Sequence, residues 1–128
     1  MEKTTLLQQR NDDLRAAYKR IVKASANMKY VSRATIIALL MEQPAPRFYL
    51  LPYQARMYIV NHYRMVNSGR RKQKMIEDLV ENYERLRNEY PGAARGTLYC
   101  MAAEQPAKSF YLSKHRIEEI LFDYSGRN

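Results

Sequence analysis

Catalysis at neutral pH needs a nucleophile with a base in reach, a metal held by closely spaced His, Cys or carboxylate ligands, or a glycine-rich loop that cradles phosphates. This chain has two histidines, His62 and His115, and one cysteine, Cys100, and none stands at ligand spacing from another. Its four glycines form no phosphate loop. Its eleven tyrosines suggest tyrosine-based strand transfer, but that chemistry needs histidine and arginine partners, or a histidine cluster for metal, around the tyrosine. No such set is legible. The expectation is therefore a protein that is not an enzyme, with no catalytic residue, cofactor, metal or small-molecule substrate. Cys100 cannot form an internal disulfide and lies in an apolar helical pattern, so it reads as a small buried side chain.

Arginine and lysine offer a different chemistry. The 22 Lys+Arg against 13 Asp+Glu give a net charge of +9, an excess that points first to nucleic acid. The excess is lopsided: residues 1–68 carry net +7 and residues 69–128 net +2. Candidate contacts are Arg33, Arg47, Tyr53, Gln54, Arg56 and Arg64 in the first half and Arg70, Arg71 and Lys72 at the start of the second. Arginine pairs with guanine edges or phosphate, and glutamine with adenine. For the Arg70-Arg71-Lys72 run, joined by Lys74, phosphate contact and simple solubility are both open.

The elements that must position these side chains are helices, written twice. Residues 33–50 and 95–112 share Arg, Thr, Glu-Gln-Pro-Ala and Phe-Tyr-Leu at a constant offset of 62. Upstream, Asp13-Leu14, Tyr18, Arg20 and Ile21 match Asp78-Leu79, Tyr83, Arg85 and Leu86 at an offset of 65. A repeat of this kind sets the architecture. The fold class expected is all-α: six helices as a tandem repeat of a three-helix, helix-turn-helix-like unit around a shared core, in one domain spanning 1–128 with repeats at 4–66 and 70–125.

Leu7, Leu14, Ala17, Tyr18 and Ile21 recur at helical spacing, which predicts a first helix over about 4–25 with a cationic polar face of Arg10, Arg15, Lys19, Arg20 and Lys23. Asn27-Met28-Lys29-Tyr30 breaks the period. Ser32 is placed to cap a second helix over about 33–42, apolar nearly all round and so expected to be central and buried. Gln43-Pro44-Ala45-Pro46 ends it, because proline removes a donor and disfavours the helical region for the residue before it.

Arg47-Phe48-Tyr49-Leu50 is then extended, with Phe48 and Tyr49 pointing to opposite sides. Pro52 opens a third helix running to about Met65, with Ala55, Tyr58, Ile59 and His62 inward and Tyr53, Arg56, Met57, Val60 and Arg64 outward. Asn67-Ser68-Gly69 is a turn. Ile76, Leu79, Val80, Tyr83, Leu86 and Tyr90 give a fourth helix over about 72–89, ended by Pro91-Gly92, then a fifth follows over about 94–104. Ser113 caps a sixth that runs to about Tyr124 on Ile117, Ile120 and Leu121. For Phe48, Tyr49, Phe110 and Tyr111, filling the gap left by the proline break outweighs base stacking.

The implied function is a small basic nucleic-acid-binding accessory protein, DNA more than RNA, that uses the third helix of the first repeat as a helix-turn-helix reader would. In the second repeat Glu118, Glu119 and Asp123 stand where Arg56, Met57 and Asn61 stand in the first, so phosphate would be repelled there. The alternative is a non-enzymatic phage or mobile-element assembly adaptor, or a homo-oligomer, that meets protein partners through Tyr53, Met57, Val60 and Phe122. The run Pro106-Ala107-Lys108-Ser109-Phe110-Tyr111-Leu112-Ser113, with its counterpart Pro44 to Leu51, resembles a motif in small uncharacterised proteins of gut Bacteroidetes and their phages or mobile elements. That resemblance implies a bacterial or phage setting and no particular activity. With no long apolar run and no secretion-type apolar core near Met1, the expected location is the bacterial cytoplasm, or a virion if phage-encoded, with no membrane contact.

Overall fold

The structure, a computed structural model, describes residues 5–26, 31–64 and 69–122. Among them the chain is all-helical: α1 (Leu6–Ala24), α2 (Arg33–Met41), α3 (Pro52–Val60), a 3₁₀ turn (His62–Arg64), α4 (Arg70–Glu89), α5 (Arg95–Glu104) and α6 (Lys114–Phe122). The helix starts follow local chemistry. Thr5 and Gln8 form a reciprocal capping box on α1, both bonds at 3.0 Å. Ser32 Oγ accepts from Thr35 N–H at 3.1 Å, and Ser113 Oγ from Arg116 N–H at 3.1 Å. Pro52 takes the first position of α3, where its missing donor costs nothing. Gly69, before α4, has φ +90°, which a residue with a Cβ adopts only under strain. The Asn27 to Tyr30 break, the Asn67-Ser68 part of the turn, and the expected end of helix six from Asp123 onward lie outside the described residues.

Of the stripes read from the sequence, Leu7 and Tyr90 are exposed and Tyr18, Val80 and Leu121 half-buried, while the other apolar positions are buried: Leu14, Ala17 and Ile21 on α1, Ala55, Tyr58 and Ile59 on α3, Ile76, Leu79, Tyr83 and Leu86 on α4, and Ile117 and Ile120 on α6. They belong to one continuous cluster. Two expectations need correction. The apolar α2 is not enclosed, since only Ile37 and Leu40 are buried while Leu39 is 43% exposed. A nine-residue helix lying on α1 and α6 in so small a chain covers one face only. The third helix stops at Val60, not near Met65. Beyond it His62 Nδ1 lies 2.8 Å from the Ile59 carbonyl and Arg64 N–H bonds Asn61 O at 2.9 Å, which tightens the chain into the 3₁₀ turn and leaves His62 exposed rather than inward.

The proline-broken segments cross at the middle of the molecule. Ala45 and Ala107 exchange both backbone N–H to O bonds at 2.9 Å, an isolated antiparallel bridge. Around it Phe48 stacks on Tyr111 with ring centroids 5.8 Å apart, and Tyr49 on Phe110 at 6.2 Å. The phenylalanines are buried and the tyrosines half-buried, as gap-filling requires. This crossing redistributes the helices. α3 packs on α5 and α4, whereas α6 packs on α2 and touches α1 through the Tyr18–Phe122 edge contact at 5.6 Å. The helices that pack together are thus α1, α2 and α6 on one side and α3, α4 and α5 on the other, not three successive helices as expected for a helix-turn-helix-like unit.

Candidate nucleic-acid interface

The first turn of α4 carries Arg70, Arg71 and Lys72 and no acidic residue. All three are exposed, and Arg70 and Arg71 make no ion pair among the described residues. Placement at a helix start is adverse for cations, because the unsatisfied N–H groups and macrodipole are positive there, by about 0.3–1 kcal/mol for each charge. Lys72 leans onto α3, its Nζ 5.3 Å from the centre of the Tyr58 ring. That contact brings the α4 turn against α3.

The outer face of α3 offers Tyr53, 66% exposed, and Arg56, exposed and without a hydrogen bond or ion pair among the described residues. Between them run Met57 and Val60, both partly exposed, with Leu51 just before the helix. Arg64 lies on the 3₁₀ turn, which packs against both α3 and α4, and so does not share a helical face with Arg56. Gln54 is placed otherwise than for base reading: its Oε1 accepts from Leu51 N–H at 2.9 Å and caps its own helix.

Two of the candidates lie elsewhere. The Arg33 guanidinium sits 4.1 Å over the Phe122 ring, at the junction of α2 and α6. Arg47 donates from Nε to Phe48 O at 2.9 Å and lines an open cavity of about 190 Å³ with Leu6, Leu50, Pro52 and Cys100. Cys100 is only half-buried there, a correction to its reading as a buried side chain, because it lines this open cavity. Arg70, Arg71 and Lys72 thus lie together on the first turn of α4 and Tyr53 and Arg56 on the outer face of α3, while Arg33 engages Phe122 and Arg47 the Phe48 carbonyl.

Sequence reasoning missed the polar centre of each side. Tyr49 Oη donates to Asp13 Oδ2 at 2.6 Å, and Tyr111 Oη to Asp78 Oδ2 at 2.6 Å. Burial, then the bonded carboxylate, pushes both phenols well above their ordinary range. Asp78 is 4% exposed and also takes Lys74 Nζ at 2.9 Å, a bond that holds the Lys74 ammonium above its usual range. Asn82 donates to Ala102 O and Pro106 O, both at 3.3 Å, and so satisfies carbonyls that the proline break leaves open. The signal was present, since Asp13 and Asp78, like Tyr49 and Tyr111, recur at the repeat offsets. Their pairing needed three dimensions.

Among the described residues no group of three or more His, Cys, Asp or Glu is arranged to hold a metal, and no helix is long and apolar enough to cross a membrane. No family model matches the chain, and no curated protein or solved structure matches it either.

Proposed function

We propose that the chain binds nucleic acid, duplex DNA before RNA, with the first turn of α4 and the outer face of α3. The observation that carries this reading is the cluster Arg70, Arg71 and Lys72 at a helix start, where cations oppose the backbone field and have no carboxylate to answer them. A phosphate placed there meets N–H groups, dipole and guanidinium together, so its arrival turns an unfavourable arrangement into a favourable one. α3 then lies along the backbone with Arg56 for phosphate or guanine and Tyr53 for stacking. We further read the matching segments as an internal duplication whose copies diverged in charge, the first keeping cations on its third helix and the second acquiring Glu118 and Glu119 at the matching positions.

Filter binding of duplex DNA and RNA at two salt concentrations tests this. Affinity should fall steeply with salt, the logarithmic slope flattening by about 0.9 for each phosphate contact removed. Arg70→Glu with Arg71→Glu, and separately Arg56→Glu, should weaken binding at all sequences. Retention of the variants equal to that of the native chain refutes the reading.

A second reading rests on Leu51, Tyr53, Met57 and Val60, an exposed apolar stripe on the same helix. It suits a non-enzymatic assembly adaptor of phage or mobile-element type that meets a protein partner or a second copy there. A strict monomer by light scattering that recovers no protein in a pull-down removes it.

A further inference from the structure

The open cavity of about 190 Å³ lies where the start of α1, the segment ahead of α3 and the end of α5 meet. Phe48 N–H donates to Ala103 O at 2.8 Å, which pins the Phe48 backbone against the last turn of α5. Arg47 and Glu104, the chain neighbours of the two bonded residues, both line the cavity. The rest of its wall is largely apolar, from Leu6, Leu50, Leu51, Pro52 and Ala103. We propose that this cavity binds a free apolar α-amino acid, with the side chain on the apolar wall, the carboxylate on Arg47 and the ammonium on Glu104.

A cation and a carboxylate brought so near by a backbone bond would be expected to pair, yet these two make no ion pair among the described residues. Arg47 Nε is committed to Phe48 O at 2.9 Å, which fixes the guanidinium and leaves Nη1 and Nη2 without a hydrogen bond among the described residues. Those two nitrogens are parallel donors of the kind that takes a carboxylate end-on. Glu104 is exposed and engages no donor among the described residues. A simple carboxylate would answer Arg47 and be repelled by Glu104, and a simple amine the reverse. A molecule with both charges on one carbon answers both.

The size agrees. Aliphatic cavities of about 150 Å³ take a benzene-sized group, whereas sites for larger ligands run to roughly 300 Å³ and above. The space therefore suits one branched or aromatic side chain, with the charged end at the mouth. The lining is also particular to this place in the chain. At the offset of 62, Ser109, Ser113 and Lys114 stand where Arg47, Leu51 and Pro52 stand here, so the cation and part of the apolar wall belong to one of the two matching segments.

Cys100 lines the cavity one helical turn before Glu104, and as the chain's one cysteine it reports occupancy. The experiment measures its alkylation by iodoacetamide, a neutral reagent, with leucine as the probe. At ten times its dissociation constant, leucine should slow the reaction about tenfold. Glycine lacks the side chain, 4-methylpentanoate the ammonium and leucinamide the carboxylate, and each should need roughly ten times the concentration or more. Glu104→Gln, at a position with no bond to lose, should keep the native circular dichroism and abolish the preference for leucine over 4-methylpentanoate. Arg47→Gln should abolish the preference over leucinamide; if loss of its bond to Phe48 O unfolds the chain, the Glu104 variant still decides. No protection of Cys100 by leucine, or an unchanged preference in the Glu104 variant, overturns the proposal. Equal protection by N-acetylleucinamide, which has the side chain and neither charge, also overturns it and assigns the cavity to an apolar side chain of a protein partner.

Discussion

Two tyrosine hydroxyls, on Tyr49 and Tyr111, donate to two aspartates over the same 2.6 Å, and their removal should have unequal costs. Tyr111→Phe leaves Asp78 almost without solvent, held only by Lys74 at 2.9 Å and Lys108 at 3.8 Å. A hydrogen bond to a charged group contributes about 1.5–3 kcal/mol, and a buried carboxylate that loses one partner cannot turn to water for another. Tyr49→Phe leaves Asp13, which is half-buried, and water replaces part of what is lost. The expected losses are about 2–3 kcal/mol for Tyr111→Phe and about 1 kcal/mol for Tyr49→Phe. With an unfolding entropy of roughly 2.1 cal/mol/K per residue over this length, these correspond to drops in Tm of about 7–11 °C and about 4 °C. Urea unfolding monitored by circular dichroism gives the first quantity and a thermal melt the second. Both phenylalanine rings keep the stacking geometry, so packing changes little and the difference reports burial of the carboxylate. Equal losses for the two variants refute the reasoning, as does a loss below about 0.5 kcal/mol for Tyr111→Phe.

The same pair sets an alkaline limit. The native phenols stay protonated above pH 10, where unfolded tyrosines ionise, so unfolding releases protons and stability falls as pH rises past that point. Lys74 acts in the same direction: its raised value stabilises the native state below the ordinary lysine range, and that contribution disappears as pH climbs through it. Urea midpoints taken from pH 8 to 11 should decline, and the Tyr49→Phe, Tyr111→Phe double variant should decline less. On α2, Leu40→Ala should cost about 2–5 kcal/mol and its neighbour Leu39→Ala less than about 1 kcal/mol, because only the first leaves a cavity; equal midpoints from urea unfolding would contradict the one-sided burial of this helix.

The helices themselves were legible because their determinants are local. Ser32, Pro52 and Ser113 mark the starts, and the spacing of Leu14, Ala17 and Ile21 or of Ile76, Leu79, Tyr83 and Leu86 marks the faces. Where the reading failed, the deciding contact was not local. Leu39 and Met41 are as apolar as Ile37 and Leu40, and only the positions of α1 and α6 decide which of them are covered. His62 continues the inward period of α3, but its ring lies against the Ile59 carbonyl and the helix ends before it.

The candidate site divides in the same way. The sequence alone places three cations in one run at the start of the second half and records that Asp13, Asp78, Tyr49 and Tyr111 recur at fixed offsets, since charge, period and repetition are properties of a string. Only the crossing at Ala45 and Ala107 sends α3 to α4 and α6 to α2, because a backbone bridge between residues 62 apart fixes a path that neither segment encodes by itself. From that path follow the nearness of Lys72 to Tyr58 and of Arg33 to Phe122.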